Sequence, residues 1–149
     1  MTEGGTYVPI MSPWQNVPHY YGDVVRQCFV VGAIVMLVGA PFYTNDLRQE
    51  FPFVVLGALI LVAFAALTNP HNKGIIVADA VASGVVVLVY QAWALFDYQS
   101  STWAEFALRE VIALILITGF YFSMKTLRAM LLHQIGKHEE VGEFDKDNA

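Results

Sequence analysis

The sequence predicts an all-α polytopic membrane protein, an antiparallel up-down-up-down bundle of four transmembrane helices with a cytoplasmic helical extension. Its 149 residues are 56% hydrophobic and only 14% charged, whereas soluble domains carry about 25% charged residues. Four apolar runs approach the roughly 20 residues that a helix needs to cross the hydrocarbon core of a bilayer. The connections between these runs are short, and short connections force consecutive helices to run antiparallel.

The predicted spans cover residues 24–42, 52–68, 75–96 and 103–124. Pro52 suits the first turn of a helix, where its missing N–H costs no hydrogen bond. Pro70 restricts Asn69 before it and ends the second span. Thr102 followed by Glu105 predicts a capping box, in which each side chain bonds a free backbone N–H at the helix start. These signals place the helix ends independently of hydropathy.

Three segments flank the predicted membrane domain. Residues 1–23 lack both the charged and the apolar regions of a signal peptide, so we expect a retained N-terminal segment, cytoplasmic or interfacial. Residues 125–136 keep apolar positions at helical spacing, which predicts an amphipathic cytoplasmic extension lying on anionic lipid or a partner and ending at Gly136. Residues 137–149 are rich in Asp and Glu and are expected to be a disordered tail.

The distribution of Lys and Arg predicts the orientation, because cytoplasmic loops of membrane proteins are enriched in both. With four spans, both termini lie on one side. That side holds Arg26, Lys73, Lys125, Arg128, Lys137 and Lys146. The other side holds only Arg48 and Arg109. We therefore expect both termini in the cytoplasm and, without an organelle address, the cytoplasmic (inner) membrane of a prokaryote.

Asp79 is a carboxylate in the otherwise apolar third span. It follows Gly74 by five residues, about 7 Å along a helix, and should lie near the cytoplasmic edge. Arg26 enters the first span from the same side, which predicts an intramembrane ion pair between Arg26 and Asp79. The alternative is that Asp79 couples the movement of protons or substrate.

Polar residues continue along the third helix beyond Asp79. Ser83, Tyr90 and Gln91 follow it on adjoining strips of the helix surface. They predict either a seam that hydrogen-bonds to neighbouring helices or a polar path through the membrane. The first helix carries its own stripe of small or flexible residues, which we expect to pack against the third helix: Cys28, Gly32, Met36 and Gly39.

Three charged residues open the fourth span at its outer end. Glu105 and Arg109 are spaced i,i+4 in the favourable order, and Glu110 adds a second acid. This pattern predicts a self-neutralising cluster at the outer interface. Binding of a periplasmic ligand is the alternative.

Several functional classes lack the residues that they require. Cys28 is the only cysteine, so an intramolecular disulfide or a CxxC redox pair cannot form. All four histidines lie outside the predicted spans, where they cannot hold a membrane haem. We expect no catalytic residues, no metal site and no cofactor site. Without a basic patch interleaved with aromatics, nucleic acid is not an expected partner.

In size and number of spans, the chain is similar to the small multidrug resistance transporters, four-helix proteins that work as dimers. Those transporters depend on a glutamate in the middle of the first span. Here that span reads VVRQCFVVGAIVMLVGAPF and contains no carboxylate. The similarity therefore extends to architecture only, and the sequence assigns no family.

Together these features predict a small integral membrane protein that is a non-enzymatic accessory, scaffold or interaction component. Its expected partners are the lipid bilayer and either a second copy of itself or another membrane protein. The alternative function is a small oligomeric transporter or channel that uses Asp79 and the polar seam on the third helix.

Overall fold

The computed structural model describes residues 19–69, 72–133 and 135, and the regular structure in this part of the chain is entirely helical. The helices are α1 (Gly22–Tyr43), α2 (Leu47–Leu67), α3 (Lys73–Phe96) and α4 (Trp103–Leu131). All four are long and apolar enough to cross a membrane, which supports a multi-pass membrane protein.

Helix α2 begins earlier than Pro52, the start expected from the sequence. Asp46 is its N-cap, and the Asp46 carboxylate accepts hydrogen bonds from the backbone N–H groups of Arg48 and Gln49. The cap satisfies donors that a helix start otherwise leaves free, so the helix forms from Leu47. Pro52 consequently lies in the second turn of α2 rather than the first.

Helix α4 is one continuous helix from Trp103 to Leu131. The predicted capping box is present at its start, formed by Thr102 and Glu105. At its other end the helix takes in the first part of the predicted 125–136 extension. The expected end at Gly136, the tail at 137–149 and most of the N-terminal segment lie outside the described residues.

The helices contact one another unequally. Helix α1 packs against both α2 and α4, and α3 packs mainly against α4. Helices α2 and α3 contact each other much less, although they are consecutive in the chain. Helices α1 and α4 run antiparallel, because the backbone N–H of Tyr21 donates to Thr126 Oγ1 while Arg109 binds the carbonyl of Tyr43.

Glycines bring α1 and α4 close together. A Cβ atom on Gly119 would lie 3.2 Å from Cys28 Cβ, and one on Gly32 would lie 3.1 Å from a methyl carbon of Leu116. The small-residue stripe of α1 was expected to face the third helix, but its Cys28 and Gly32 contact the fourth. That expectation was wrong because periodicity identifies a packing face without identifying the neighbour.

Candidate functional site

Asp79 is fully buried near the start of α3. The hydroxyl of Thr68, the C-cap of α2, shares its proton between Asp79 Oδ2 at 3.0 Å and the backbone carbonyl of Phe64 at 2.8 Å. The other carboxylate oxygen, Oδ1, has no hydrogen-bond partner among the described residues. The position lies about 9 Å from the start of the helix at 1.5 Å per residue, about a quarter of the way along it.

The predicted ion pair between Arg26 and Asp79 is not formed directly. Arg26 Nη2 instead donates to the backbone carbonyl of Thr68, and Nη1 donates to Asp23 Oδ1 at 3.3 Å. Arg26 therefore binds the backbone carbonyl of Thr68, and Asp79 binds the side-chain hydroxyl of the same residue. The physical reason is that the last carbonyls of a helix lack intrahelical partners and carry partial negative charge, which attracts a cation.

Further polar groups lie near this end of the helices. The hydroxyl of Tyr20 is buried, and burial raises the pKa of that phenol despite the opposing charge of Arg26. Tyr20 also feels the charges of Asp23 and Asp79. Ser123 of α4 is fully buried, and within the described chain its hydroxyl has no hydrogen-bond partner. The sequence pattern singled out neither Tyr20 nor Ser123 as a buried polar group.

The four residues of the predicted polar seam divide into separate local contacts. Ser83 is buried, but its hydroxyl donates to the backbone carbonyl of Asp79 at 2.7 Å within its own helix. Tyr90 bonds the hydroxyl of Tyr43 in α1 at 2.9 Å. Gln91 is only half-buried and makes its hydrogen bond with α4. Among the described residues, no hydrogen bond joins these four side chains to one another.

The predicted outer cluster of Glu105, Arg109 and Glu110 also has a different arrangement. Glu105 is occupied by the capping box, where its carboxylate accepts from the backbone N–H of Thr102 at 2.8 Å. Glu110 accepts from the side-chain amide of Gln91 at 2.8 Å. Arg109 pairs with neither acid. The expected self-neutralising cluster was wrong because Arg109 lies on the buried side of α4, where backbone carbonyls compete for its donors.

Arg109 is fully buried and makes five hydrogen bonds. Its Nε and Nη2 atoms donate to the carbonyl of Tyr43, at 3.1 and 2.7 Å. Nη1 donates to Ser101 Oγ at 3.0 Å and to Asp97 Oδ2 at 3.3 Å. Nη2 also reaches Asn45 Oδ1 at 3.3 Å. One guanidinium thus holds the loop after α1 and the loop after α3.

Aromatic side chains surround the buried guanidinium. The centre of the Arg109 guanidinium lies 4.5 Å from the centroid of the Trp93 ring, which is within the range of a cation–π contact. Trp93 donates its indole N–H to Asp97 Oδ2 at 2.8 Å. The rings of Tyr43 and Tyr90 pack against the same indole at centroid distances of 5.8 and 6.0 Å. The Trp93 ring is therefore held on several sides.

A cleft of about 270 Å³ lies between α2 and α3, where these helices are poorly packed. Its lining residues are Met36 from α1, Glu50, Phe53, Val54 and Gly57 from α2, and Val86, Val89, Tyr90 and Trp93 from α3. Each of the two flanking helices contributes positions i, i+3, i+4 and i+7, which form one face of two helical turns. This spacing is visible in the sequence but is typical of any packed helix face.

The cleft has a polar end and an apolar body. Glu50 supplies the only carboxylate of the lining, and it belongs to the first turn of α2. Its Oε2 accepts from the backbone N–H of Asn45 at 3.1 Å. No cation lies within ion-pair distance of Glu50 among the described residues. The carboxylate therefore stands without a counter-charge at the mouth of an apolar cleft.

Within residues 19–69, 72–133 and 135, no three His, Cys, Asp or Glu side chains are grouped so that they could hold a metal ion. No protein-family model, no curated protein sequence and no solved structure matches this chain.

Proposed function

We propose that the protein is a non-enzymatic scaffold or accessory component of a prokaryotic cytoplasmic (inner) membrane. In this proposal the four helices form an up-down-up-down bundle with both termini in the cytoplasm, as the asymmetry of Lys and Arg favours. The single observation that carries the proposal is the position of the buried charges. Asp79 and Arg109 each bind groups at helix ends or in loops, as structural groups do.

The positions of these charges argue against chemistry in the membrane interior. Asp79 and Arg109 are each the seventh residue of their helix, about 9 Å from its start. Charged groups that relay protons or bind ions typically face a water-filled cavity or pair with one another. The cleft between α2 and α3 is lined almost entirely by apolar side chains. An inert interior suits a protein that acts through its surfaces.

The partners in this proposal are lipid and either a second copy of the chain or another membrane protein. Without strong hydrophobic attraction between helices in lipid, association depends on close packing and a few polar contacts. The cytoplasmic end of α4 exposes Leu131 and Leu132 beyond the span predicted from the sequence. This apolar end favours a docking role for the segment.

A transporter or channel is the second candidate, because Asp79 Oδ1 is buried without a hydrogen-bond partner in the described chain. A carboxylate that is only half satisfied is able to exchange a proton or bind a cation. In this alternative Asp79 is the essential group, and its neutral amide analogue would be inactive.

The same substitution distinguishes the two candidates. Asp79→Asn should leave co-purification of a membrane partner unchanged if the protein is a scaffold, since Thr68 still has an oxygen to which it donates. Asp23→Asn, at an exposed carboxylate, is the matched control. Flux of protons or cations into proteoliposomes is measured in parallel. Flux that is present in the wild type and in the control but lost in Asp79→Asn would reject the scaffold proposal.

A further inference from the structure

The cleft between α2 and α3 has the form of a slot. Its lining spans Glu50 to Gly57 and Val86 to Trp93, eight residues in each case, which is seven steps and about 10.5 Å of helix. The empty space between its walls, including the open mouth, is about 670 Å³, which over this length gives a mean cross-section of at most about 64 Å². The slot is therefore narrower than a whole α-helix.

This cross-section discriminates between possible occupants. An α-helix with its side chains is 10–12 Å wide and needs roughly 80–110 Å². A single hydrocarbon chain whose atoms keep van der Waals distances of about 4 Å needs roughly 20 Å². The slot has room for a hydrocarbon chain and is too narrow to enclose a helix of a second copy or of another protein.

The walls of the slot suit a hydrocarbon chain that enters from the side. Phe53 and Val89 form its outer lips, with 75% and 54% of their surfaces exposed. Met36, Val54 and Tyr90 form its floor and are buried. The outer lips face the region that lipid occupies around a membrane protein, so a lipid chain reaches the floor without passing through water.

The polar end of the slot specifies the head group. Glu50 is partly exposed, lacks a counter-charge among the described residues, and uses only Oε2 in its hydrogen bond with the loop before α2. A carboxylate in this position favours a cationic group, most of all a primary ammonium that donates hydrogen bonds. Trp93 lies at the same end of the slot as Glu50, and its indole N–H donates a hydrogen bond to Asp97.

We infer that the α2/α3 slot binds one acyl chain of a phosphatidylethanolamine molecule, with the lipid ammonium at Glu50 and the chain over Val54 and Tyr90. This lipid site is separate from the proposed scaffold role and does not depend on it. The site is selective because the chain and the ammonium are recognised together, whereas other lipids around the protein contact only its apolar surface.

Trp93 provides a direct readout, because it lines the slot and bromine quenches indole fluorescence on contact. Trp14→Phe and Trp103→Phe leave Trp93 as the only tryptophan. This protein is reconstituted into phosphatidylcholine vesicles with a small fraction of lipid brominated near the head group. The brominated lipid is phosphatidylethanolamine, phosphatidylcholine or phosphatidylglycerol. We expect brominated phosphatidylethanolamine to reach half-maximal quenching at a mole fraction roughly threefold lower than the other two lipids. A threefold preference is the size of effect expected from one ion pair at an exposed interface.

Two matched pairs of variants test the two parts of the site. Glu50→Gln should abolish the preference for phosphatidylethanolamine, whereas Arg48→Gln on the same turn, outside the lining, should preserve it. Val89→Phe fills the slot and should reduce quenching by every brominated lipid. Val85→Phe, at a position with 53% exposure on the same helix but outside the lining, should not.

The outcomes separate the proposed lipid from other occupants. Equal quenching by the three lipids in the wild type would overturn the head-group assignment. Quenching that is unchanged by Val89→Phe would overturn the slot itself. If quenching falls as the protein-to-lipid ratio of the vesicles rises, a second copy of the chain covers the slot and the lipid proposal is wrong.

Discussion

Replacing the buried arginine of α4 should be among the most damaging single substitutions in this protein. In Arg109→Met the apolar side chain keeps much of the volume but loses all five hydrogen bonds. Side-chain hydrogen bonds in membrane proteins average about 0.6 kcal/mol, so five amount to about 3 kcal/mol. The carboxylate of Asp97, 26% exposed, also loses its counter-charge. Breaking a buried ion pair typically costs 3–5 kcal/mol, and the partial exposure of Asp97 places the expectation at the lower end.

The free energy of unfolding in mixed micelles, followed by tryptophan fluorescence during a titration with denaturing detergent, measures this loss. Arg48→Met is the control, because Arg48 is exposed at the same end of the helices. Arg109→Lys should recover only part of the loss, since one ammonium cannot reach both the Tyr43 carbonyl and Asp97 with the geometry of a guanidinium. A loss in Arg109→Met no larger than about 0.5 kcal/mol, the usual range for surface substitutions, would refute the assignment of Arg109 as the group that holds both loops.

The same unfolding measurement tests three further contacts. Thr68→Val should lower stability by about 1–3 kcal/mol, because it leaves both oxygens of buried Asp79 unpaired. The loss should shrink in the double variant with Asp79→Asn. Gly119→Leu should cost about 1–3 kcal/mol by forcing α1 and α4 apart, whereas Gly84→Ala, whose methyl would meet a ring at 3.4 Å, should be tolerated. Tyr90→Phe should cost between about 0.6 and 1.7 kcal/mol, the value of one hydroxyl bond between helices. Equal stabilities for any of these variants and the wild type would contradict the corresponding contact.

The helices were predictable because each rests on a strong local signal. Long apolar runs identify the spans, and Thr102 with Glu105 marks the start of α4 in the sequence itself. The start of α2 was missed although its signal was present. Asp46 precedes the first turn as an N-cap, but the prediction started the helix at Pro52, five residues too late.

The polar contacts were less predictable because their partners are backbone atoms. The sequence shows charges, and charge pairing suggested that Arg26 binds Asp79 and that Arg109 binds its acidic neighbours. In the structure both arginines donate to carbonyls at helix ends, the last groups of α1 and α2. Every residue has a carbonyl, so no residue type marks such a partner in advance. The cleft at Glu50 was missed for a related reason, since a gap between helices depends on how tightly α2 and α3 meet.

The contacts of Arg109 have a consequence for how the protein is made. Tyr43 and Asp97 precede Arg109 by 66 and 12 positions in the chain. Both residues therefore emerge from the ribosome before Arg109. Until Arg109 follows, neither has this hydrogen-bond partner. In a polypeptide truncated after α3, the loop after α1 and the loop after α3 would lack the hydrogen bonds from Arg109. Membrane proteases that cleave such unanchored loops would degrade the truncated chain and spare the complete protein.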